Sequence, residues 1–263
     1  MHPATSAEAK ALFDATKKIA EKSKQVSIVV APPSLYVYDL AHAYKGKRIA
    51  FAIQSARAEK VGAFTGTISL AQARDAGASY AIIGHAERRA VGETNDDTRT
   101  QVATALALKM TPILCVGELV REESGEHFSF IKEQLRMGFA DVSATKIATV
   151  VIAYEPEWAV GALEAMTPRG MHEMAIFIRK TMVGIYGKQG MKAVILYGGA
   201  INETNAEAML RDGDVDGLLV GRASSDAKEI AMVIEPIHTA YWHILLTYRQ
   251  MISKASESCY VLV

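Results

Sequence analysis

Short apolar runs recur along the chain and alternate with longer segments that have helical periodicity. The runs are rich in Val, Ile, Leu and Ala on both alternating faces, which is typical of parallel strands covered by helices on either side. Seven such runs are predicted to be strands, at residues 26–30, 49–53, 80–83, 112–116, 150–154, 193–197 and 217–220.

The segments between the runs carry apolar residues at helical spacing. Residues 5–20 place Ala9 and Phe13 on one face, and Thr5 is a typical residue for a helix start. The alternation of strand and helix predicts an α/β fold with a parallel sheet, and a (β/α)₈ barrel of about 250 residues fits it. Because the chain opens on a helix, we expect the missing first strand to lie ahead of Met1. Further helices are predicted at residues 95–108, 168–186, 202–211 and 225–235.

The pattern changes after Glu235, where aromatic residues become frequent and the strand–helix rhythm is lost. We therefore predict one barrel domain over residues 1–235 and an unassigned C-terminal tail over residues 236–263. The favoured interpretation of the tail is a helical or disordered appendage, or an out-of-frame translation.

Composition narrows the class of protein. The 29 basic side chains are balanced by 29 acidic ones, which argues against nucleic acid as the main partner. No run of 18 uncharged apolar residues predicts a membrane-spanning helix, and the first residues lack the apolar core of a signal peptide. Two cysteines cannot form a disulfide scaffold and show no zinc pattern. These features predict a cytoplasmic enzyme that acts on a small molecule, with no membrane partner.

Candidate catalytic side chains follow several of the predicted strands. His85 comes after residues 80–83, Glu155 after residues 150–154, and glycine turns come after the last two runs. In a parallel barrel these positions gather at one rim. A carboxylate in a dry pocket can remove a carbon-bound proton, an imidazole can polarise a carbonyl, and glycine turns can bind a phosphate. Taken singly, each residue is more often structural, ion-paired or without a ligand.

Six segments together resemble the signatures of the triosephosphate isomerase family, in the same order and at similar spacing. The resemblance extends over residues 1–235, so chance agreement is hard to credit. The segments are Gly-His-Ala-Glu-Arg-Arg at 84–89, Ala-Tyr-Glu-Pro-Glu-Trp-Ala-Val-Gly at 153–161, Tyr-Gly-Gly-Ala at 197–200, Val-Asp-Gly-Leu-Leu-Val-Gly at 215–221, Gly-Ala-Phe-Thr-Gly at 62–66 and Pro-Ile-Leu-Cys-Val-Gly-Glu at 112–118.

The resemblance implies catalytic roles for three residues. Glu155 resembles the base that moves a proton between two carbons, and His85 resembles the neutral electrophile that serves the two oxygens. Glu87 resembles a buried acidic residue beside them, although an ion pair with Arg88 or Arg89 is about equally consistent with its position.

The resemblance also implies a phosphate site and a lid. The peptide N–H groups of Gly161, Gly221 and Arg222 resemble phosphate ligands. Ala200 stands where the family usually has Ser, so only its backbone could contribute. Residues 156–163 resemble a lid that excludes water, although Ala162 and Leu163 depart from the family's Gly-Thr-Gly ending.

A phosphorylated triose is the substrate that the resemblance implies. The reaction would be the interconversion of dihydroxyacetone phosphate and glyceraldehyde 3-phosphate in glycolysis and gluconeogenesis, with no metal or organic cofactor. The loop around Thr65 resembles the family's dimer-interface loop, so a homodimer is expected.

One departure leaves alternatives open. The family places an Asn and a catalytic Lys at the end of its first strand, and residues 244–249 loosely resemble that strand. As an alternative to an appendage, these residues would fill the gap in the barrel, and Arg249 would then replace the Lys. A non-catalytic phosphate-binding barrel and another phosphate-binding barrel enzyme are the two other functional hypotheses.

Overall fold

A closed barrel of eight parallel strands forms the centre of the computed structural model, which describes residues 2–160, 165–248 and 259–263. Each strand pairs in parallel with its two neighbours in the order β1 to β8. The (β/α)₈ fold class is confirmed. The strands are β1 (Val26–Val30), β2 (Ile49–Ile53), β3 (Tyr80–Ile83), β4 (Thr111–Val116), β5 (Val151–Tyr154), β6 (Val194–Gly199), β7 (Gly217–Val220) and β8 (Cys259–Leu262).

Helices surround the barrel, and their first residues carry the expected capping groups. The Thr5 hydroxyl accepts the N–H of Glu8, and the Thr167 hydroxyl accepts the N–H of Gly170 with Pro168 at the first helical position. No helix in the described part of the chain is long and apolar enough to cross a membrane. The helices are α1 (Ser6–Lys22), α2 (Ser34–Ala43), α3 (Leu70–Asp75), α4 (Ala86–Ala90), α5 (Asn95–Ala107), α6 (Glu126–Gly138), α7 (Pro168–Tyr186), α8 (Ala206–Asp212) and α9 (Ala227–Tyr248).

Two hydrophobic layers stabilise this arrangement. One fills the space between the strands and the helices, and the other fills the interior of the barrel. Alternation along each strand assigns its residues to one layer or the other, which explains why the strand runs are apolar on both faces. The interior layer contains Val29, Ala31, Ala52, Ile113, Cys115, Val151, Ala153, Leu196, Leu219 and Leu262.

The tail supplies the strand that closes the barrel, which corrects the expectation of an unmatched appendage. β8 pairs with β1 on one side and with β7 on the other. Residues 259–263 are a short apolar run like the earlier ones, but the sequence pattern did not reveal them because the tail lacks the preceding strand–helix rhythm. The tail was expected to fill the gap, if at all, through residues 244–249, and this placement is wrong because residues 244–248 are part of α9. Arg249, the proposed substitute for the lysine, lies outside the described residues.

Two helix boundaries also differ from the prediction. The helix expected at residues 202–211 begins only at Ala206, because the Asn202 carboxamide accepts the N–H groups of Thr204 and Asn205 and forms a turn instead. The helix expected to end at 235 continues through Pro236 as α9. It therefore crosses the expected boundary between residues 235 and 236.

Candidate active site

The carboxyl ends of the strands bring the main candidate groups together at one rim of the barrel. His85 follows β3, Glu155 follows β5, Gly199 ends β6, and Gly221 follows β7. All four residues line one cavity of about 930 Å³. The structure thus places the predicted acid–base pair and the predicted glycine turns around one space.

His85 and Glu155 are in direct contact. The Nε2 atom of His85 lies 3.4 Å from Oε1 of Glu155. The Glu155 side chain is only 3% exposed, while the imidazole is 22% exposed and faces the cavity. An acid–base pair therefore sits with its carboxylate shielded from water and its imidazole accessible to a ligand.

The hydrogen bonding of His85 defines its tautomer. His85 caps α4, and its Nδ1 atom accepts the peptide N–H of Glu87 at 3.3 Å. An accepting Nδ1 carries no proton, so in the neutral imidazole the proton is on Nε2. His85 therefore presents an N–H donor toward Glu155 and the cavity.

Burial controls the ionisation of Glu155. It raises the pKa of this carboxyl above its ordinary value, and His85, the Cys115 thiol and the Ala86 N–H offset part of the effect. The second oxygen, Oε2, has no hydrogen-bond partner within the described structure. A raised pKa and an unsatisfied oxygen are what a general base requires to accept a proton from a substrate.

Two glycines allow the backbone to approach Glu155 closely. A Cβ atom on Gly117 would lie 1.9 Å from the Glu155 carbonyl oxygen, and one on Gly198 would lie 2.7 Å from the Glu155 Cγ atom. The Gly117 N–H donates to the side-chain oxygen of Gln134 at 2.9 Å, and the side-chain N–H of Gln134 donates to the Gly117 carbonyl at 3.2 Å. Gly117 follows β4 and Gly198 lies in β6, so the two glycines fix the position of Glu155 from the strands on either side of β5.

The predicted phosphate ligands are only partly described. Ala200, Gly221 and Arg222 all line the cavity, on the side formed by β6 and β7. The turn after β7 is fixed by Ser224, whose N–H and hydroxyl both donate to the Gly221 carbonyl. Gly161, with Ala162 and Leu163 of the predicted lid, lies outside the described residues.

Glu87 lies at the cavity wall but is exposed, so the expectation of a buried carboxyl is wrong. Its described contact with the site is the peptide N–H that bonds to His85. It faces solvent because it belongs to the first turn of α4, whose buried side is occupied by Ala86. The alternative ion pair with Arg88 or Arg89 is not among the ion pairs of the described residues either, and the Arg89 guanidinium instead donates to Gly84 O, Asn95 Oδ1 and Cys115 O.

A buried carboxylate connects β4 with the start of the lid. Glu118 is 2% exposed and accepts from the Tyr154 hydroxyl at 3.0 Å, from the Trp158 indole at 3.0 Å and from Arg121 at 3.2 Å. The segment Glu157–Ala159 forms a 3₁₀ turn that begins two residues after Glu155. The first turn of the predicted lid segment is therefore tied to the barrel next to the Glu155 carboxyl.

Thr65 is exposed on the loop between β2 and α3. Within this loop the Arg57 guanidinium lies 3.7 Å from the centre of the Phe64 ring, and Gly62 and Gly66 have positive φ angles. Val61, in the middle of the loop, is 87% exposed. The loop thus has a defined shape and presents apolar surface to solvent.

Sequence reasoning missed three features of the site. The Cys115 thiol beside Glu155, the close approach of Gly117 and the Glu118 cluster all depend on contacts between β4 and β5. Both strands had been predicted, so the closeness of the ends of β4 and β5 could have been used to predict these contacts. Among the described residues no group of three or more His, Cys, Asp or Glu side chains could hold a metal ion.

The fold and the site define a class: a (β/α)₈-barrel protein with an imidazole and a buried carboxyl group arranged for acid–base chemistry. Comparison with known families then identifies the family, because the model for triosephosphate isomerase matches residues 1–237. The chain belongs to the triosephosphate isomerase family.

Individual relatives agree with this membership. A triosephosphate isomerase of Endomicrobium trichonymphae is 39% identical over 233 residues, which cover 88% of this chain and 93% of the relative. One from Trichlorobacter lovleyi is 38% identical with the same coverage. One from Lactiplantibacillus plantarum is 36% identical over 223 residues, or 84% of this chain and 88% of the relative.

Proposed function

We propose that this chain interconverts dihydroxyacetone phosphate and glyceraldehyde 3-phosphate, as an intramolecular oxidoreductase of the aldose–ketose isomerase type. The observation that carries the proposal is the contact of 3.4 Å between His85 Nε2 and Glu155 Oε1 at the cavity wall. Family membership supplies the substrate class, a small phosphorylated triose.

Glu155 acts as the base. It removes a proton from the carbon next to the carbonyl and returns it to the neighbouring carbon, so no proton is lost overall. The buried carboxylate is poorly solvated, which raises its pKa and makes it more ready to accept a proton.

His85 acts on the oxygens. Its Nε2–H donates to the carbonyl oxygen as negative charge develops in the enediolate, and this proton passes to that oxygen. The Nε2 atom, now without a proton, takes one from the adjacent hydroxyl, so the imidazole returns to its starting state. The Nδ1 atom stays occupied by the Glu87 N–H throughout, which holds the ring in one orientation.

The glycine turns hold the phosphate. The peptide N–H groups of Gly221 and Arg222 and the backbone of Ala200 lie on the side of the cavity formed by β6 and β7. Backbone N–H groups bind a phosphate without the entropic cost of ordering long side chains. Gly161 would add a further N–H from the lid.

A coupled isomerase assay tests this function. We expect Glu155→Gln and His85→Gln each to lower kcat by about 10²- to 10⁴-fold, because each removes one proton-transfer group. Glu173→Gln, an exposed glutamate of α7, is the matched control and should leave kcat unchanged. A wild-type protein that binds phosphate without isomerising either triose would contradict the proposal and favour a non-catalytic phosphate-binding barrel.

A homodimer and a cytoplasmic location complete the proposal. The exposed, apolar loop around Thr65 supports the dimer, and sedimentation of the wild type beside Thr65→Asp tests it, because a buried carboxylate would weaken the interface. The two buried, free cysteines are consistent with a reducing compartment.

A further inference from the structure

Two charged side chains without a role in the proposed function hold the turn that carries His85. Gly84 follows the last residue of β3 and directly precedes His85. Its peptide N–H donates to Oε2 of Glu93 at 2.9 Å, and its carbonyl oxygen accepts the Nε–H of Arg89 at 2.8 Å. Both backbone polar groups of the residue before the imidazole are therefore bonded to side chains.

The Arg89 guanidinium joins three elements of the fold. Besides Gly84 at the end of β3, it donates to Oδ1 of Asn95, the first residue of α5, at 2.8 Å. Its third bond, of 3.3 Å, goes to the carbonyl oxygen of Cys115 in β4. A guanidinium is planar and its donors point in fixed directions, so these three bonds together define one position for it. Arg89 thereby fixes Gly84 relative to β4.

Gly84 also packs closely against Arg89. Its φ angle is +70°, and a Cβ atom there would lie 2.8 Å from Nη2 of Arg89 and 2.9 Å from Cγ2 of Thr98. Only glycine combines this backbone conformation with so little space. The turn before His85 is therefore shaped to receive the guanidinium.

Glu93 is itself held on the opposite side of the Gly84 peptide groups. Its Oε1 atom accepts the side-chain N–H of Gln101, a buried residue of α5, at 2.8 Å. The carboxylate thus has one oxygen on Gly84 and the other on a helix that packs against β3 and β4. Glu93 and Arg89 together restrain both ends of the bonding capacity of Gly84.

The bond to Cys115 relates this turn to the catalytic carboxyl. Cys115 is paired in register with Ala153 of β5, and Glu155 follows the last residue of β5. Arg89 is therefore bonded both to the residue before His85 and to the strand beside the one that carries Glu155. An error of about 1 Å in the placement of a catalytic group can lower a rate by about a hundredfold.

We propose that Arg89, assisted by Glu93, is a positioning residue that holds the His85 imidazole in its orientation and at its distance from Glu155. Neither Arg89 nor Glu93 belongs to the described residues that line the cavity, so both act through Gly84 and not by contact with the substrate. The proposal rests on the proposed function for the reaction, but not for the position of the imidazole.

The first test compares Arg89→Lys with Arg99→Lys in the isomerase assay. Lysine keeps the positive charge but not the forked donors, so it isolates the geometry. We expect Arg89→Lys to lower kcat by about tenfold to a hundredfold and to leave KM within about twofold of wild type, because the predicted phosphate turns follow β6 and β7. Arg99 also makes two bonds, to Asp141 at the surface, and its variant should match the wild type.

The second test observes the imidazole directly by nitrogen NMR of histidine-labelled protein, with the His85 signals assigned from His85→Gln. Wild type should show a protonated Nε2 and an unprotonated Nδ1, as the bond from the Glu87 N–H requires. Arg89→Lys should show a mixture of the two tautomers or broadened signals. A purely structural role would lower stability but leave the His85 signals of the folded protein unchanged.

Glu93→Gln tests the same turn from its N–H side. Its amide oxygen can replace only one of the two acceptors, so we expect kcat to fall by about three- to tenfold and the His85 signals to change. If Arg89→Lys does not fold, Glu93→Gln carries the comparison.

Wild-type kcat and unchanged His85 signals in the folded variants would overturn the proposal. So would a fall in kcat with an equal rise in KM and unchanged His85 signals, because the damage would then lie elsewhere. A wild-type protein without isomerase activity, in which the His85 signals still depend on Arg89, would reject the proposed function alone.

Discussion

At the scale of single residues, Gly117 shows how closely two strand ends approach each other at the site. Alanine there would place its methyl 1.9 Å from the Glu155 carbonyl oxygen. We expect Gly117→Ala to lower the free energy of unfolding by about 1–3 kcal/mol and to abolish most isomerase activity, because the backbone that carries Glu155 must shift.

Gly184→Ala provides the matched control for that change. Gly184 lies within α7, and a Cβ atom there meets no other atom within 4 Å. The free energy of unfolding should rise by up to about 1 kcal/mol, since alanine favours helix more than glycine does. Chemical denaturation of both variants measures the difference; equal stability of the two would refute the steric argument.

Glu155 links catalysis to pH at the same scale. Because burial raises its pKa, kcat/KM should fall with decreasing pH at a higher pH than an ordinary glutamate would produce. The free energy of unfolding depends on pH in the opposite direction, because ionisation of Glu155 destabilises the folded state. The folded state prefers protonated Glu155, so this contribution to stability is complete below the pKa of the unfolded chain and is lost as pH rises through the folded pKa.

Thermal unfolding of wild type and Glu155→Gln, measured from acidic to neutral pH, checks the stability prediction. We expect Glu155→Gln to gain stability relative to wild type as pH rises toward neutrality, because glutamine cannot ionise in the buried site. Glu173→Gln, changed at an exposed position, should follow the wild type at every pH. A constant difference between wild type and Glu155→Gln would contradict the raised pKa.

At the scale of elements, the Glu118 cluster joins the end of β4 to the first turn of the lid. Glu118→Ala leaves the buried Tyr154 hydroxyl and the partly exposed Trp158 indole and Arg121 guanidinium without their shared acceptor. We expect a loss of about 1–3 kcal/mol in the free energy of unfolding, chiefly from the unsatisfied Tyr154 hydroxyl. A lower kcat is also expected, because the lid segment is no longer tied to the barrel.

A second glutamate–arginine pair with the same spacing provides the control. Glu133 and Arg136 are also three residues apart, but their side chains are 51% and 58% exposed. Glu133→Ala should cost only about 0–1 kcal/mol. If both substitutions had the same effect on denaturation, burial would not be the cause of the difference.

At the scale of the whole molecule, β8 decides whether the barrel is closed. Deletion of residues 259–263 would leave β1 and β7 with unpaired edges and remove Leu262 from the interior layer. We expect the shortened protein to lose cooperative unfolding and to aggregate. Scanning calorimetry and size-exclusion chromatography measure these effects.

A milder substitution in β8 distinguishes the effect of barrel closure on stability from the effect of losing buried apolar volume. Val261→Ala keeps the strand hydrogen bonds and removes two methyl groups at a fully buried position. It should lower stability by about 2 kcal/mol while unfolding remains cooperative. A shortened protein that melts as cooperatively as Val261→Ala would show that β8 is not needed for closure.

The candidate site was predictable to a similar extent as the fold. His85 and Glu155 follow predicted strands, and parallel strands end at one rim, so their proximity followed from the pattern. The exposure of Glu87 and the buried position of Glu118 did not follow from it. Both depend on which side of a short helix or loop faces the barrel, and no periodicity defines that in segments of a few residues.

The sequence by itself determined seven strands, five of the nine helices in the described part of the chain and the order in which they wind, because each of these elements carries a local apolar pattern. Only the tertiary structure decided what fills the eighth place. Cys259–Leu262 is four residues long, like β3, β5 and β7, but the aromatic-rich segment before it lacks the strand–helix rhythm that identified those strands. It is a strand because β1 and β7 each offer it a row of backbone partners, and those two edges face each other only once the rest of the barrel has formed.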